Sequence, residues 1–228
     1  MDRTKGSAFN GFFSGKRYEV IVSLFGMGGM FYKNSVTGLG LAPGMKALDL
    51  GCGTGQLSFA LAAISSADCE IFGVDLATDQ VGYAKERQKA YSGSFHFSVT
   101  SMDEIDFPNE TFDLVMTSMA LHEAKPEVRR IAIRKACCML KTGGKFLLVD
   151  WGKPRFGGWG ALFYPFCRWG QKDRDNWNNT YRELCESHGL SCKEDKYMNS
   201  VIRKQIFMKE PRQDTTVQIG RASCRERV

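Results

Sequence analysis

The 228-residue chain is long enough for one α/β domain with a proper core and short for two. Its 43% hydrophobic and 25% charged residues exclude intrinsic disorder, and no apolar run reaches the roughly 20 residues of a membrane-spanning helix. The net charge of +6 falls to +4 without residues 219–228 (IGRASCRERV), which resemble a translated sequencing adapter, and the remainder is too diffuse to suggest a nucleic-acid partner.

Met1-Asp2-Arg3-Thr4-Lys5 leads into no signal-type apolar block, so a cytoplasmic protein is expected. None of the eight cysteines has C-x-x-C spacing, and no pair has a ligand-type partner at the right distance. They read as reduced structural thiols, with no metal site.

In chain order, Lys16 to Phe25 reads as a helix with Tyr18, Ile21, Val22 and Phe25 on one face, broken by Gly26-Met27-Gly28-Gly29. A second helix runs from Met30 to Leu39. Residues 1–40 are therefore expected to form a helical cap ahead of an α/β domain at 41–210. Lys46 to Leu50 is the first strand and Gln56 to Ser65 a helix. Glu70 to Asp75 is the second strand, and Asp79 to Tyr91 is a helix capped by Thr78 or Asp79. Ser94 to Val99 and Phe112 to Ser118 are the third and fourth strands. Pro126 to Leu140 is a helix ended by Gly143-Gly144. Lys145 to Asp150 is the apolar run of a buried parallel strand. The segment 154–178, with Trp159, Phe163, Tyr164, Phe166 and Trp169, reads as an aromatic lid or acceptor wall. A helix from Trp177 to His188 and strands Lys193 to Met198 and Val201 to Met208 close the chain. The expected fold is α/β, a doubly wound and mostly parallel sheet of seven strands with a C-terminal antiparallel hairpin.

The strongest local signal is Leu48-Asp49-Leu50-Gly51-Cys52-Gly53-Thr54-Gly55-Gln56, which leaves the first strand and opens a helix. A dinucleotide fingerprint needs G-x-G-x-x-G, and here the spacing is G-x-G-x-G with Gln56 at the last position. Asp49 ends the strand just before the glycines. A carboxylate there repels a pyrophosphate and attracts an ammonium or sulfonium.

These residues resemble the first motif of class I S-adenosylmethionine-dependent methyltransferases, and the resemblance runs over residues 44 to 152. Gly73-Val74-Asp75 is similar to the acidic motif of the second strand. Phe107 to Val115 resembles the loop and fourth strand. Leu140-Lys141-Thr142-Gly143-Gly144 resembles the turn into the fifth strand, with Thr142 where the family carries proline. Tyr18-Glu19 and Ser118 to Glu123 resemble the group of ubiquinone/menaquinone C-methyltransferases and small phospholipid N-methyltransferases.

The resemblance implies a Rossmann-like fold and S-adenosyl-L-methionine as cofactor. It places Asp49, Gly51, Cys52, Gly53 and Gly55 around the methionine end and Asp75 with Leu76 at the ribose. Ser101 and Met102 are expected beside the adenine, Thr117 (with Ser118) beneath the sulfonium, and Tyr18 as a cover. Relatives often carry an acidic residue where Ser101 stands, so the adenine amine falls to Asp103 or a main-chain carbonyl. His122, just after the fourth strand, is the candidate catalytic base. The function implied is methyl transfer to a small hydrophobic or aromatic acceptor, quinone-precursor-like or lipid-like, with no nucleic-acid partner. A peripheral membrane contact through residues 156–169 is a second reading of the aromatic segment. An RNA or protein methyltransferase, or a non-catalytic binder of the same cofactor, stays open as an alternative.

Overall fold

The computed structural model of the protein describes residues 15–24, 26–155 and 175–211. The aromatic segment 156–169 and the stretch 219–228 lie outside the described residues. Seven strands, β1 (Lys46–Leu50), β2 (Glu70–Asp75), β3 (Ser94–Val99), β4 (Phe112–Ser118), β5 (Leu140–Trp151), β6 (Leu190–Tyr197) and β7 (Ile202–Lys209), form one sheet. Their order is β3-β2-β1-β4-β5-β7-β6. The first five are parallel, and β7 runs antiparallel between β5 and β6. Six helices are described: α1 (Gly15–Leu24), α2 (Gly29–Val36), α3 (Gln56–Ala62), α4 (Thr78–Arg87), α5 (Pro126–Met139) and α6 (Thr180–Ser187). The expected doubly wound sheet and its C-terminal antiparallel pair are both present.

Helices cover both faces, so the central strands are buried throughout and their apolar residues sort by period two. Leu48, Leu50, Phe146 and Leu148 pack toward α5 and α6 with Ile133, Ala136 and Tyr181. Ala47, Leu114, Met116, Leu147 and Val149 pack the other way, with Phe31 and Val36 of α2 and Leu57 and Leu61 of α3. Phe112 joins the first cluster although it lies two residues before Leu114. The β4–β5 register shifts between these two positions, and the irregularity turns Phe112 to the opposite face.

Several boundaries differ from expectation, those of α5, α4 and α6 among them. Helix α5 ends at Met139, ahead of the glycine pair, because Leu140 already takes extended backbone and pairs opposite Phe112. Gly143, at φ 78°, serves an excursion within the strand instead. The last carbonyls of α5 are bonded from outside: Lys209 Nζ donates to Leu140 O at 2.6 Å and to Cys138 O at 3.4 Å. Helix α4 starts at Thr78 after Ala77, with no side-chain cap from Thr78 or Asp79. The Asp75 carboxylate accepts the Ala77 N–H at 2.8 Å and takes over that role. Helix α6 starts at Thr180, three residues later than Trp177.

Phe146, fully buried in the middle of the sheet, tests the packing. Phe146→Ala should lower unfolding free energy by about 3–5 kcal/mol in denaturant titration.

Candidate functional site

Strand order reverses between β1 and β4, and ligands of open α/β sheets sit at such a point, beyond the carboxyl ends of the strands. A cleft holding about 900 Å³ of empty space, open to solvent, lies there between the ends of β1, β2 and β4. The glycine loop forms its floor. Gly51 and Cys52 donate their N–H groups to Val74 O at 2.8 and 2.9 Å, and Gly53 N–H donates to Asp75 Oδ2 at 2.8 Å. Gly51 sits at φ 72°, and a Cβ there would come within 2.3 Å of Ala120 Cβ. Gly53, at φ 51°, has nothing within 4 Å of where its Cβ would be, so the chain leaves that side of the loop open.

Two carboxylates define the electrostatics. Asp49, 1% exposed, accepts the Ser58 hydroxyl at 2.7 Å. Burial pushes its pKa up to about 7; the Ser58 hydrogen bond holds it down in part, and the nearby Asp75 charge adds to the rise. Asp75 spans the loop and α4 by accepting from Gly53 and Ala77, one N–H on each oxygen. Burial raises its pKa also, against the pull of those N–H groups. Among the described residues neither carboxylate faces a cation, and no Lys or Arg lines the cleft.

Of the residues expected in the site, Asp49, Gly51, Cys52, Gly53, Asp75, Leu76, Ser101 and Met102 all line the cleft. Ser101 is buried and donates its hydroxyl to Asp103, which settles Asp103 on the serine. Gly55 does not line the cleft: at φ 80° it forms the N-cap of α3. Thr117 also stays out, because its hydroxyl donates to Leu50 O at 2.8 Å and ties β4 to β1. Its neighbour Ser118 lines the cleft instead, with a buried Oγ that has no hydrogen-bond partner. Tyr18 lies in α1, and its side chain is outside the described residues.

His122 lies on a 3-10 turn, Leu121–Glu123, and is not among the residues lining the cleft. Its Nδ1 is 2.7 Å from Asp150 Oδ1 and its Nε2 is 3.2 Å from Glu123 Oε1. Burial alone would favour the neutral ring, but Asp150 and Glu123 outweigh it and push the pKa up to about 10. The ring is then an imidazolium donating from both nitrogens, with no lone pair to take a proton near neutrality. Asp150 is completely buried and also accepts the main-chain N–H of His122 (3.1 Å) and of Trp151 (2.8 Å).

Tyr32, Gln80 and Val128, which sequence reasoning missed, also line the cleft. Each comes from a separate helix, and only the packing of α2, α4 and α5 brings them to the strand ends. Gln80 had one legible cue, its place in the first turn of the helix after Asp75. Its Oε1 accepts the Gly15 N–H at 3.2 Å, which fastens the start of α1 beside the cleft. Among the described residues no cluster of His, Cys, Asp or Glu could hold a metal ion.

With this geometry in place, comparison with known proteins is informative. A family described as "methyltransferase domain" matches residues 47–144, the stretch from β1 through the glycine pair of β5. Over this stretch the chain is similar to S-adenosylmethionine-dependent methyltransferases. Over 143 residues the chain is 29% identical to the ubiquinone/menaquinone biosynthesis C-methyltransferase UbiE of Shewanella woodyi, covering 61% of this chain and 56% of that protein. Phosphoethanolamine N-methyltransferase 3 of Arabidopsis thaliana is 33% identical over 121 residues, 52% of this chain and 24% of that one. The chain thus spans about half or less of the length of these relatives. The fold is shared with a putative methyltransferase of Haloferax volcanii solved with its Trm112 activator, at TM-score 0.65 and 17% identity, covering 79% of this chain and 89% of that one.

Asp49 and His122 each carry a prediction. Between pH 4 and pH 7 the unfolded chain releases the Asp49 proton while the folded chain keeps it. Stability of the ligand-free protein therefore falls as pH rises through that window, by on the order of 4 kcal/mol for a pKa near 7 against 3.8. Asp49→Asn should remove this slope in denaturant titrations at pH 5 and 8. For His122, nitrogen NMR at pH 8 should show both ring nitrogens protonated.

Proposed function

We propose that the protein transfers a methyl group from S-adenosylmethionine to a small acceptor with an apolar body. The observation that carries this reading is Asp49: a buried carboxylate, opening on the cleft, with a hydroxyl but no cation beside it. That arrangement is unfavourable by itself and becomes favourable when a positive group enters. A dinucleotide would bring its pyrophosphate to this carboxylate, with no Lys or Arg among the described lining residues to offset the repulsion. An amino-acid nucleoside with an ammonium and a sulfonium brings the opposite charge.

The residues present fit that ligand. Asp49 would draw the cationic end. The open side of Gly53 would let the ligand approach the main chain. Asp75 keeps further lone pairs beyond the two N–H groups it accepts and would take ribose hydroxyls. Leu76 and Met102 offer apolar surface, and Ser101 lies beside them on the same rim. When bound, S-adenosylmethionine supplies a methyl group on a good leaving group, so in-line positioning and exclusion of water do most of the work.

On the other side of the cleft Tyr32, Met119, Ala120 and Val128 make a mainly apolar wall. It supports an acceptor of quinone-precursor-like or lipid-like character, in keeping with the biosynthetic role named for the UbiE relative. A polynucleotide acceptor finds no support in a lining without Lys or Arg among the described residues.

Calorimetric titration decides the reading. S-adenosylmethionine and S-adenosylhomocysteine should bind while NAD(H) does not, and the reverse result would refute it. Asp75→Ala should weaken cofactor binding by about 1–3 kcal/mol, the scale of a lost hydrogen bond to a charged group. Affinity for S-adenosylmethionine should rise as pH passes upward through about 7, because the cation favours ionised Asp49.

A further inference from the structure

We propose that the methylated atom is an amine nitrogen received by Glu123, with His122 and Asp150 as the pair that positions this carboxylate. The inference rests on the reading of the cleft as a methyl-transfer site, and of the acceptors with an apolar body it selects an amine over a quinone precursor that attacks through carbon or oxygen.

Asp150, His122 and Glu123 form a line of alternating charge from the sheet to the cleft. Asp150 is anchored at the end of β5, and its two oxygens accept from three N–H groups: the His122 ring, the His122 main chain and its own neighbour Trp151. The His122 ring is 12% exposed, and the Trp151 ring meets it edge-on at 6.0 Å. Both ring nitrogens are engaged by carboxylates, so His122 orients its neighbours and takes no proton from the acceptor. Glu123 is the member of the line that reaches the cleft, with a third of its side chain exposed there. Ser118 Oγ, also on the cleft, is buried and among the described residues has no hydrogen-bond partner. A buried hydroxyl in that state points to a polar ligand atom, because leaving it unmet costs free energy.

Charge selects the kind of atom. Asp49, Asp75 and Glu123 line the cleft; the His122 ring behind Glu123 offsets one of these carboxylates, and among the described residues no Lys or Arg lines the cleft. An acceptor that attacks as an oxyanion or as an enolate-like carbon carries negative charge, and these carboxylates repel it. A phosphate-bearing or carboxylate-bearing acceptor meets the same repulsion. A nitrogen acceptor gains positive charge as it attacks, and a fixed carboxylate beside it favours that change. Before attack the same carboxylate accepts a hydrogen bond from the ammonium form.

The step balances as follows. The ammonium gives one proton to Glu123, and the nitrogen lone pair is released. That lone pair forms the C–N bond while the carbon–sulfur bond of the sulfonium breaks, and its electrons stay on sulfur. The products are the N-methylated ammonium, S-adenosylhomocysteine and one proton, which leaves Glu123 for solvent.

The test is calorimetry on the full chain saturated with S-adenosylhomocysteine. It is titrated with 2-phenylethylamine, 4-ethylphenol and 3-phenylpropionate, three probes of similar size that differ in charge. The amine should bind at least tenfold more tightly than either of the others. Glu123→Gln should abolish the preference, and Glu123→Asp should keep part of it. His122→Gln should weaken amine binding several-fold while S-adenosylhomocysteine affinity stays constant, a split that a merely structural role would not produce. Equal binding of the three probes, or a preference that survives Glu123→Gln, overturns the inference while the methyl-transfer reading stands. Failure of wild-type protein to bind S-adenosylhomocysteine overturns both.

Discussion

The site depends on one buried charge with nothing opposite it. Asp49 lies one residue before the end of the most central strand of the parallel sheet, is buried, and among the described residues has only Ser58 as a hydrogen-bond partner. Desolvating a carboxylate in this way is costly, and the rise in its pKa expresses that cost. The sheet can hold such a group because β1 is flanked by β2 and β4 along its length and cannot shift to relieve it. The strand that makes the core is thus also the strand that prepares the cleft for a cation.

The glycine loop and Asp75 adapt the rest of the cleft to that centre. The loop folds back over the end of β2 and is tied there by Val74 O and the Asp75 carboxylate. Asp75 also fixes the start of α4, so one side chain sets the distance between the loop and the next helix. This double duty explains why α4 lacks a cap of its own. In our reading structural and ligand-directed roles coincide in this residue, because a carboxylate has more lone pairs than the two N–H groups use.

The two halves of the cleft are built from different elements, and both lie mostly within the stretch that matches the methyltransferase-domain family. One half is built on β1 and β2. The other half combines Ser118 to Glu123 with Tyr32 of α2 and Val128 of α5, and it leans on Asp150 at the far end of β5. Acceptor choice belongs to this second half in our reading. A fold shared at 17% identity carries no information about it.

By itself the sequence determined the strand–helix alternation, the seven strands, the glycine bend and the two strand-end carboxylates. These are legible because they depend on neighbours within a few residues: period-two burial, turn glycines and a carboxylate at a strand end. Only the tertiary structure decided which side chains meet at the cleft. Thr117 turned inward to Leu50 while Ser118 faced the cleft, since strand alternation assigns opposite faces to adjacent residues and the sheet decides which face is which. His122 read as a base in the chain because its strongest partner is not local: Asp150 is 28 residues away on another strand. That distant carboxylate raises the pKa of the ring more than the adjacent Glu123 does, and no local pattern encodes a long-range charge.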